Sequence, residues 1–252
     1  MLYIAKTREE LGEQAAVLIA RKLGAAIGAK GEARLALSTG ASQFETIQAL
    51  VHEDVDWSRV TMFHLDEYVG LPETHAASFR KYLKERFTSM VSLKEAVFVN
   101  GDIEPAAAIA ELTRKIREKP VDVGAIGIGE NAHIAFNDPP ADFDTRAAYH
   151  VVRLDSRCKL QQVGEGWFAT EGEVPGEAIS MTPWQIMQCE CIVSAVPGRV
   201  KADAVYKVLS AEGVDPMVPG SLLMTHADFH LFIDVESAGR CSAGLLDRYK
   251  RE

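Results

Sequence analysis

The sequence predicts an α/β fold with a mainly parallel sheet, and three observations lead to this prediction. Short apolar runs typical of buried strands alternate with segments whose apolar residues recur at helical spacing. The alternation continues over nearly all of the 252 residues. No repeat, low-complexity tract or proline-rich linker interrupts it. Strands that alternate with helices form parallel βαβ units, so we expect one domain over residues 1–252 with ligands at the carboxyl ends of its strands.

Each element is predicted from its own pattern. Leu11, Ala15, Leu18 and Ile19 recur on one face of a first helix. Strands are predicted at residues 33–38, 59–65, 96–99, 121–129, 150–154, 189–196 and 228–235. Further helices are predicted at residues 43–52, 78–87 and 107–118. Glycines, acids and one proline break both periods at residues 163–177, which predicts a lid over about 156–183.

The composition excludes several classes of protein. Hydrophobic residues make up 47% of the chain and charged residues 25%, which is ordinary for a globular protein and unlike a disordered one. The net charge of -9 argues against nucleic acid as a partner. The N-terminus lacks a signal-peptide core, and no apolar run is long enough to span a membrane. We therefore expect a cytoplasmic enzyme whose four cysteines are reduced structural thiols.

The loop STGAS, residues 38–42, follows the first buried strand. Its small residues let backbone amides approach an anion, and the next helix presents its positive end there. Thr39, Gly40, Ala41 and Ser42 are therefore candidate phosphate-binding residues. The alternative is an ordinary strand-to-helix turn with a serine cap.

Two further loops carry charged side chains. In LDEYVGLP, Asp66 and Glu67 come where a strand ends, so a carboxylate there can exchange a proton with a ligand; the alternative is that Asp66 caps a turn. In GRVKA, Arg199 and Lys201 begin a helix, where the helix dipole disfavours cations unless an anion compensates. The alternative is that both cations point into water.

The loop GIGENAHIAFNDPP, residues 127–140, holds His133 with Asn131, Asn137 and Asp138. A catalytic imidazole needs a partner that fixes its tautomer, and Asp138 is suitable for this. A metal site is not expected, because no second histidine or cysteine stands at ligand spacing. A single histidine is otherwise usually structural.

Taken together, the loops resemble the glucosamine-6-phosphate deaminase (isomerase) family in the same order along nearly the whole chain. The family shows PTG-S/T-P, DEYVGL, GxGxDGHIAFNEP and G-x-x-KA; here these read STGAS, LDEYVGLP, GIGENAHIAFNDPP and GRVKA. DEYVGL and HIAFN carry most of the resemblance. It implies a Rossmann-like three-layer fold with helices on both faces of the sheet. It also implies a cofactor-free conversion of glucosamine 6-phosphate, or a close hexosamine 6-phosphate, to a ketose 6-phosphate and ammonia.

The resemblance also implies roles for the candidate residues. His133 would transfer a proton to or from the ring oxygen and so open the sugar ring. Asp66 would move a proton between C2 and C1 of the open chain. Asp138 stands in the place of the family's Glu that supports the histidine, and Asn131 in the place of its Asp. The phosphate would lie on residues 39–42 with Lys201, and a homo-oligomer is one expected assembly.

Four departures from the family pattern have consequences. Asn131 removes one anionic partner of the imidazole, and Asp138 is one methylene shorter than Glu. Ala132 replaces a Gly, which matters only if that backbone needs a positive φ. Gln162 stands where the family often has a phosphate-binding arginine. An Asn at position 131 also resembles galactosamine-6-phosphate deaminases, so the C4 epimer is a second candidate substrate.

Two other functions remain open at this point. The 6-phosphogluconolactonases share the fold and a related GxGxDGHxAS motif, although HIAFN and DEYVGL favour the deaminase branch. Sugar-phosphate-binding sensors without turnover also resemble this fold, but Asp66 and His133 favour catalysis. Release of ammonia, release of acid from a lactone, or binding without turnover would separate the three.

Overall fold

The computed structural model describes residues 1–249, and its largest element is a seven-stranded, fully parallel sheet. The strands of the chain are β1 (Leu2–Ala5), β2 (Ala33–Leu37), β3 (Val60–His64), β4 (Asp66–Tyr68), β5 (Glu95–Val97), β6 (Val123–Ala125), β7 (Tyr149–Arg153), β8 (Glu177–Met181), β9 (Cys191–Val196) and β10 (Phe229–Asp234). The order in the large sheet is β1-β10-β9-β6-β2-β3-β5. The mainly parallel α/β prediction is therefore confirmed.

Helices cover both faces of this sheet. They are α1 (Arg8–Lys30), α2 (Phe44–Leu50), α3 (Phe79–Leu83), α4 (Pro105–Ile116), α5 (Ser156–Gly164), α6 (Pro183–Ile186), α7 (Ala202–Ser210) and α8 (Ala243–Asp247). Apolar side chains of α1, α2 and α3 form one buried core, and those of α4, α6, α7 and α8 form another. Strand residues alternate between the two, so that Leu35 and Leu37 face the first core and Ala36 the second. The three-layer arrangement follows from this alternation.

The first helix shows how local sequence sets the ends of an element. The Thr7 side chain accepts a hydrogen bond from the Glu10 N–H and caps the start of α1. Gly31 ends the helix with a φ of 79°, and its N–H bonds to the Ile27 carbonyl. The 23-residue helix then packs against α2 and the sheet.

The strand order reverses direction between β2 and β6. From β2 the chain builds outward through β3 and β5, and then returns to place β6 on the other side of β2. The loops after two such neighbouring strands diverge and leave a crevice at the carboxyl edge. The Ser38 hydroxyl accepts a hydrogen bond from the Gly127 N–H at 3.1 Å, which joins the two loops at their base.

A second, antiparallel sheet of three strands lies at the same edge, in the order β4-β8-β7. Residues 150–154 were predicted as a strand and do form most of β7, but β7 belongs to this small sheet. Strands β1, β4 and β8 were not predicted. The segment predicted as a lid, 156–183, contains α5 and β8, so its last residues are part of a sheet. Its mobility stays a prediction.

All four cysteines are free thiols, and three of them are buried. Among residues 1–249, no helix combines the length and the apolarity required to cross a bilayer. The single-domain organisation stays a prediction. The parallel pairing of β1 with β10, the first and last strands of the chain, is consistent with it.

Candidate active site

A cleft opens at the carboxyl edge of the large sheet and collects most of the residues singled out from the sequence. Its walls are the loops after β2, β6 and β9, the start of β4 and one side of α5. The lining residues include Thr39, Gly40, Ala41, Ser42, Asp66, Gly129, His133, Gln161, Gln162, Glu165 and Lys201. Among the residues given catalytic or phosphate-binding roles from the sequence, only Asn131 and Asp138 do not line this cleft: Asp138 lies behind His133, and Asn131 lines an adjoining cleft.

Asp66 begins β4 and is paired with Ser180 of β8, so it does not cap a turn. Only 6% of the residue is exposed, although it lines the cleft. Burial raises the pKa of Asp66 to about 8, and the neighbouring Glu67 carboxylate adds to this; the Phe136 N–H acts in the opposite direction. The result is a carboxyl group that accepts protons more strongly than an ordinary Asp.

Glu67 points away from the cleft and has a structural role. It is fully buried and forms an ion pair with Arg80 at 3.2 Å. Its oxygens also accept hydrogen bonds from the Ser78 hydroxyl and from backbone N–H groups, including that of Arg80 at 2.9 Å. Because these donors occupy its oxygens, Glu67 anchors the loop and the start of α3 and does not face the cleft.

His133 lies in the loop after β6, and its backbone is fixed on both sides. The Gly129 N–H bonds to the His133 carbonyl at 2.9 Å, and the Asn131 side-chain oxygen accepts the His133 N–H at 3.1 Å. The imidazole lies against Gly129, where an added Cβ would stand 2.1 Å from the ring. Gly129 is therefore required by the position of the histidine ring.

Asp138 reaches His133 despite its shorter side chain. Its Oδ1 lies 3.2 Å from the His133 Nδ1 and also accepts a hydrogen bond from the Asn131 Nδ2 at 2.9 Å. Burial would raise the pKa of Asp138, but His133, Asn131 and the Cys158 thiol together hold it below the ordinary value. The side-chain amide of Asn131 thus contacts the acid, not the imidazole.

Ala132 and Asn137 lie next to the His133–Asp138 pair and have structural roles in the same loop. Ala132 has a φ of 69°, so the position does need the backbone conformation that favours glycine. Asn137 is turned inward: its Nδ2 donates to the Ile134 and Met181 carbonyls, and its Oδ1 lies 2.8 Å from the His150 Nε2. Asn137 therefore holds the loop together and does not reach the cleft.

The loop of residues 39–42 forms the other end of the cleft. Gly40 has a φ of 99°, and its carbonyl accepts hydrogen bonds from the Gln43 N–H and from the Tyr82 hydroxyl, both at 3.0 Å. No side chain caps the short helical turn of residues 41–43 or the start of α2, so the serine-cap alternative is not observed. The loop offers backbone amides and the hydroxyls of Thr39 and Ser42 to an anion.

Lys201 supplies the positive charge at this end. It is 5% exposed, whereas Arg199 is exposed on the rim. Burial lowers the pKa of Lys201, while the carboxylates of Glu165 and Glu130 act in the opposite direction. Of the two cations in GRVKA, one therefore points into the cleft and one toward solvent.

Glu165 is an unexpected carboxylate beside this cation. It lies just after α5 and accepts hydrogen bonds from the Gln161 Nε2 at 2.8 Å and from the Trp167 Nε1 at 3.0 Å. Gln162, in the place of the family's arginine, is buried and accepts the Tyr68 hydroxyl at 2.8 Å. The helix thus brings amides and an acid to the anion end, but no cation.

Cations do lie just beyond, in an adjoining cleft that shares five lining residues with the first: Ala41, Ser42, Gln161, Glu165 and Lys201. Its lining includes Arg8, Arg157, Arg199 and Lys207 together with four acids. A separate group of potential metal ligands, Cys191, Asp228 and His230, lies at the opposite edge of the sheet with its donor atoms within 4.8 Å of one another. Asp228 there already pairs with Lys22.

Comparison with known proteins agrees with this geometry. Residues 6–231 match the family described as glucosamine-6-phosphate isomerases/6-phosphogluconolactonase. The chain belongs to this family. The glucosamine-6-phosphate deaminase of Streptococcus thermophilus is 34% identical over 240 residues, which cover 94% of this chain and 98% of the relative. The one from Streptococcus uberis is 32% identical over 234 residues, covering 92% and 96%.

Solved structures extend the likeness to three dimensions. A monomeric glucosamine-6-phosphate deaminase superimposes with a TM-score of 0.85 at 28% identity, covering 94% of this chain and 98% of its own. A putative 6-phosphogluconolactonase from Neisseria gonorrhoeae superimposes with a TM-score of 0.73 at 23% identity, covering 93% and 99%. At that identity the second match concerns the fold alone. The resemblance inferred from the four loops is confirmed.

Three residues around the cleft were missed from the sequence. Glu165 fell in an irregular segment, where no period indicates which side chains point inward. Ser180 is fully buried, and its hydroxyl accepts hydrogen bonds from the Phe136 N–H and the Asn137 Nδ2. Cys158, in the first turn of α5, is buried in an apolar cluster with Tyr68 and Phe136. Each contact joins segments far apart in the chain, and no local pattern specifies such a contact.

Proposed function

We propose that this chain converts glucosamine 6-phosphate, or a close hexosamine 6-phosphate, to a ketose 6-phosphate and ammonia. The observation that carries the proposal is that one cleft brings together a buried carboxyl group, a histidine backed by an acid, and a buried lysine beside a loop of free amides. The carboxyl group and the histidine suit proton transfers on a sugar, whereas the lysine and the loop suit its phosphate. The 32–34% identity to deaminases over most of the chain supports the same reaction.

Asp66 is suited to move a proton between C2 and C1. Removal of the C2 proton from the open-chain aldehyde gives an enolamine, and return of a proton to C1 gives an imine at C2. Addition of water to this imine and loss of ammonia then yield the ketose. A carboxylate whose pKa lies at about 8 is a better base than an ordinary one, and it returns the proton at near-neutral pH.

His133 is suited to open the ring that precedes this step. A proton must leave the C1 hydroxyl and another must reach the ring oxygen, and an imidazole can carry out both transfers. Asp138 Oδ1, 3.2 Å from the His133 Nδ1, is suited to orient the ring during the transfer. Asn131 and Asp138 act through His133 and are positioning residues.

The phosphate is proposed to lie on residues 39–42 and Lys201. The cleft fixes the distance from Lys201 to Asp66 and His133. A phosphate bound at Lys201 therefore leaves the sugar carbons beside those two residues. Residues 156–183, which bring Gln161, Gln162 and Glu165 to the cleft, are proposed as its cover. A cytoplasmic location, a single domain and a homo-oligomer stay predictions; the solved deaminase named above is monomeric.

An ammonia-release assay tests the proposal. Glucosamine 6-phosphate and galactosamine 6-phosphate are assayed at pH 8 with the parent protein, with Asp66→Asn, and with the exposed control Glu13→Gln. We expect ammonia with one or both sugars from the parent and the control. N-acetylated sugars should release none, because the acyl group removes the basic amine.

Two other outcomes would replace the proposal. Acid release from 6-phosphogluconolactone without any release of ammonia would indicate a lactonase. Sugar phosphates that bind, as measured by calorimetry, but that are not turned over at any pH would indicate a sensor.

A further inference from the structure

The side chain of Gln43 connects the loop of residues 39–42 to strand β9. Gln43 directly follows that loop and is 2% exposed. Its side chain does not cap α2. Instead, its Nε2 donates to the Ala195 carbonyl of β9 at 3.1 Å and to the Ser42 Oγ, also at 3.1 Å. A buried amide therefore holds a residue of the proposed phosphate loop.

The contact with Ala195 fixes which way the Gln43 amide is turned. A carbonyl oxygen only accepts hydrogen bonds, so the group that faces it must be the NH2 of the amide and not its oxygen. The NH2 group has two protons, and the second one is available for the Ser42 Oγ. The Ser42 hydroxyl is therefore the acceptor in its contact with Gln43.

The amide is supported from a third side by Gly127, in the loop after β6. Strand β6 lies between β2 and β9 in the sheet, so the Gln43 side chain passes over this loop on its way to Ala195. A Cβ added at Gly127 would lie 3.1 Å from the Gln43 Nε2, which is closer than an ordinary contact. The absence of a side chain at Gly127 thus leaves the space that the amide occupies.

The contact with Gln43 decides how the Ser42 hydroxyl can be used. A hydroxyl has one proton and two lone pairs. Gln43 takes one lone pair, and no group among residues 1–249 accepts the proton. Ser42 lines the cleft, so this proton is left for a ligand. A phosphate oxygen accepts hydrogen bonds and carries charge, which makes it the stronger partner for such a donor.

We propose that Gln43 is a positioning residue for the substrate phosphate: its amide binds the Ser42 Oγ from behind and so directs the Ser42 hydroxyl into the cleft as a donor. The effect on turnover rests on the proposed function, whereas the effect on anion binding does not require turnover. Gln43 thereby contributes to the preference for a phosphorylated sugar over an unphosphorylated one, although it does not touch the ligand.

A double-mutant cycle separates this role from packing. Gln43→Met removes the donors at similar side-chain size, Ser42→Ala removes the hydroxyl, and the double variant removes both. Gln43→Leu repeats the cycle with another apolar side chain, so the result does not depend on the folding of one variant. Gln185→Met removes a buried amide of α6 and is the control.

Glucitol 6-phosphate is the probe, because it carries the phosphate but lacks the amine and the aldehyde that the reaction requires. Its Kd is measured by calorimetry, with glucitol as the unphosphorylated comparison. We expect Kd to rise about fivefold in Gln43→Met and about tenfold in Ser42→Ala. Gln43→Met should add no further loss once Ser42 is Ala, because the two residues act through one contact. Gln185→Met should bind as the parent does.

The deaminase reaction gives a second readout. In Gln43→Met, KM for glucosamine 6-phosphate should rise about fivefold with kcat little changed, since the phosphate does not react. If the binding cycle behaves as expected but neither the parent nor any variant releases ammonia, the positioning role stands and the proposed function fails.

Three results would overturn the proposal. The first is a Gln43→Met or Ser42→Ala variant that binds the probe as tightly as the parent. The second is a pair of losses that add in the double variant, because Gln43 would then act independently of the Ser42 hydroxyl. The third is a parent protein that binds glucitol 6-phosphate no more tightly than glucitol, because the Ser42 hydroxyl would then have no phosphate to bind.

Discussion

The cleft has a chemical end, with Asp66 and His133, and an anion end, with residues 39–42 and Lys201. The two ends differ in the contacts that support their functional groups. At the chemical end, Asp66 is buried with a raised pKa, and His133 lies between Gly129 and Asp138. At the anion end, Lys201 is a buried cation with Glu165 close to it, and the other cations, Arg157 of α5 among them, line the adjoining cleft. The proposed proton-transfer groups thus have several supporting contacts, whereas the proposed phosphate site has one buried cation with an acid beside it.

This difference separates turnover from affinity. In the proposed function, proton transfer depends on Asp66 and His133, so the loss of either should lower kcat. The anion end binds a part of the substrate that does not react, so changes there act mainly on KM. We therefore expect a deaminase whose rate at saturation is ordinary and whose affinity for a phosphorylated sugar is modest.

Replacement of Asp66 by Asn tests the chemical end and should have the largest effect. An amide cannot accept the C2 proton, so kcat should fall by about 10²- to 10⁴-fold with KM little changed. The measurement is ammonia release under single-turnover conditions. A variant that retained parental turnover would exclude Asp66 as the base.

Asp66 should also make kcat/KM and stability depend on pH, and its raised pKa fixes the direction of both changes. The pKa of Asp66 is raised to about 8 in the folded protein, so its basic form disappears as the pH falls below that value, and kcat/KM should fall with it. Because the unfolded pKa is lower, the folded state holds the proton more tightly, and stability is lost as the pH rises toward 8. Asp66→Asn should remove this loss and melt no lower than the parent at pH 8.

Replacement of Lys201 by Met tests the anion end. It keeps the apolar stem but removes the charge, so KM for the sugar phosphate should rise about tenfold to a hundredfold with kcat little changed. Arg199→Met, at the exposed cation of the same loop, is the control and should leave KM near the parent value. If both variants bind the substrate as the parent does, the phosphate lies elsewhere.

Replacement of Asn131 by Asp distinguishes two expectations for the groups around His133. The sequence suggested that an Asp there would stabilise the imidazolium, but the Asn131 amide donates to Asp138. An Asp at that position would remove a donor and add a like charge, so the pKa of Asp138 should rise. We expect kcat near neutral pH to fall about threefold to tenfold as the pair is weakened. A faster variant would favour the sequence-based expectation.

Replacement of Glu165 by Gln tests whether the acid opposes the substrate anion. Gln keeps an acceptor for the Gln161 and Trp167 donors and removes the charge beside Lys201, so KM should fall about threefold. Salt should weaken the difference between the two proteins. A higher KM would instead indicate that the carboxylate binds a sugar hydroxyl.

The smallest expected effect is on stability. Ala132 has a φ of 69°, and Ala132→Gly relieves this strain but loses a buried methyl group, so the free energy of unfolding should rise by at most about 1 kcal/mol. Ala148→Gly, at a fully buried alanine of the same core without a positive φ, should lower it. Denaturant unfolding of both variants checks the sign. A destabilised Ala132→Gly would show that the methyl group outweighs the strain.

The sequence predicted what local periods and loop motifs determine. The strands at 33–38, 59–65, 121–129 and 189–196 were predicted because they are apolar and bounded by turns. The order of the strands that form there places Asp66, His133 and Lys201 at one edge. Strand β4 has three residues, too few to show a period, and its pairing with β8 joins residues over 100 positions apart. The separate roles of Asp66 and Glu67 depend on Arg80, which no pattern links to them.

Ser180 limits where the cover of the cleft can be exchanged between relatives. Its backbone pairs with Asp66, and its hydroxyl accepts hydrogen bonds from Phe136 and Asn137, so β8 is attached both to Asp66 and to the loop that carries His133. A chimera that transplants this cover should end the donor segment at Gly176, before β8 begins. A chimera that continues through Ser180 would replace the strand that supports Asp66 together with the cover. A change of substrate preference in that chimera could not be assigned to the cover alone.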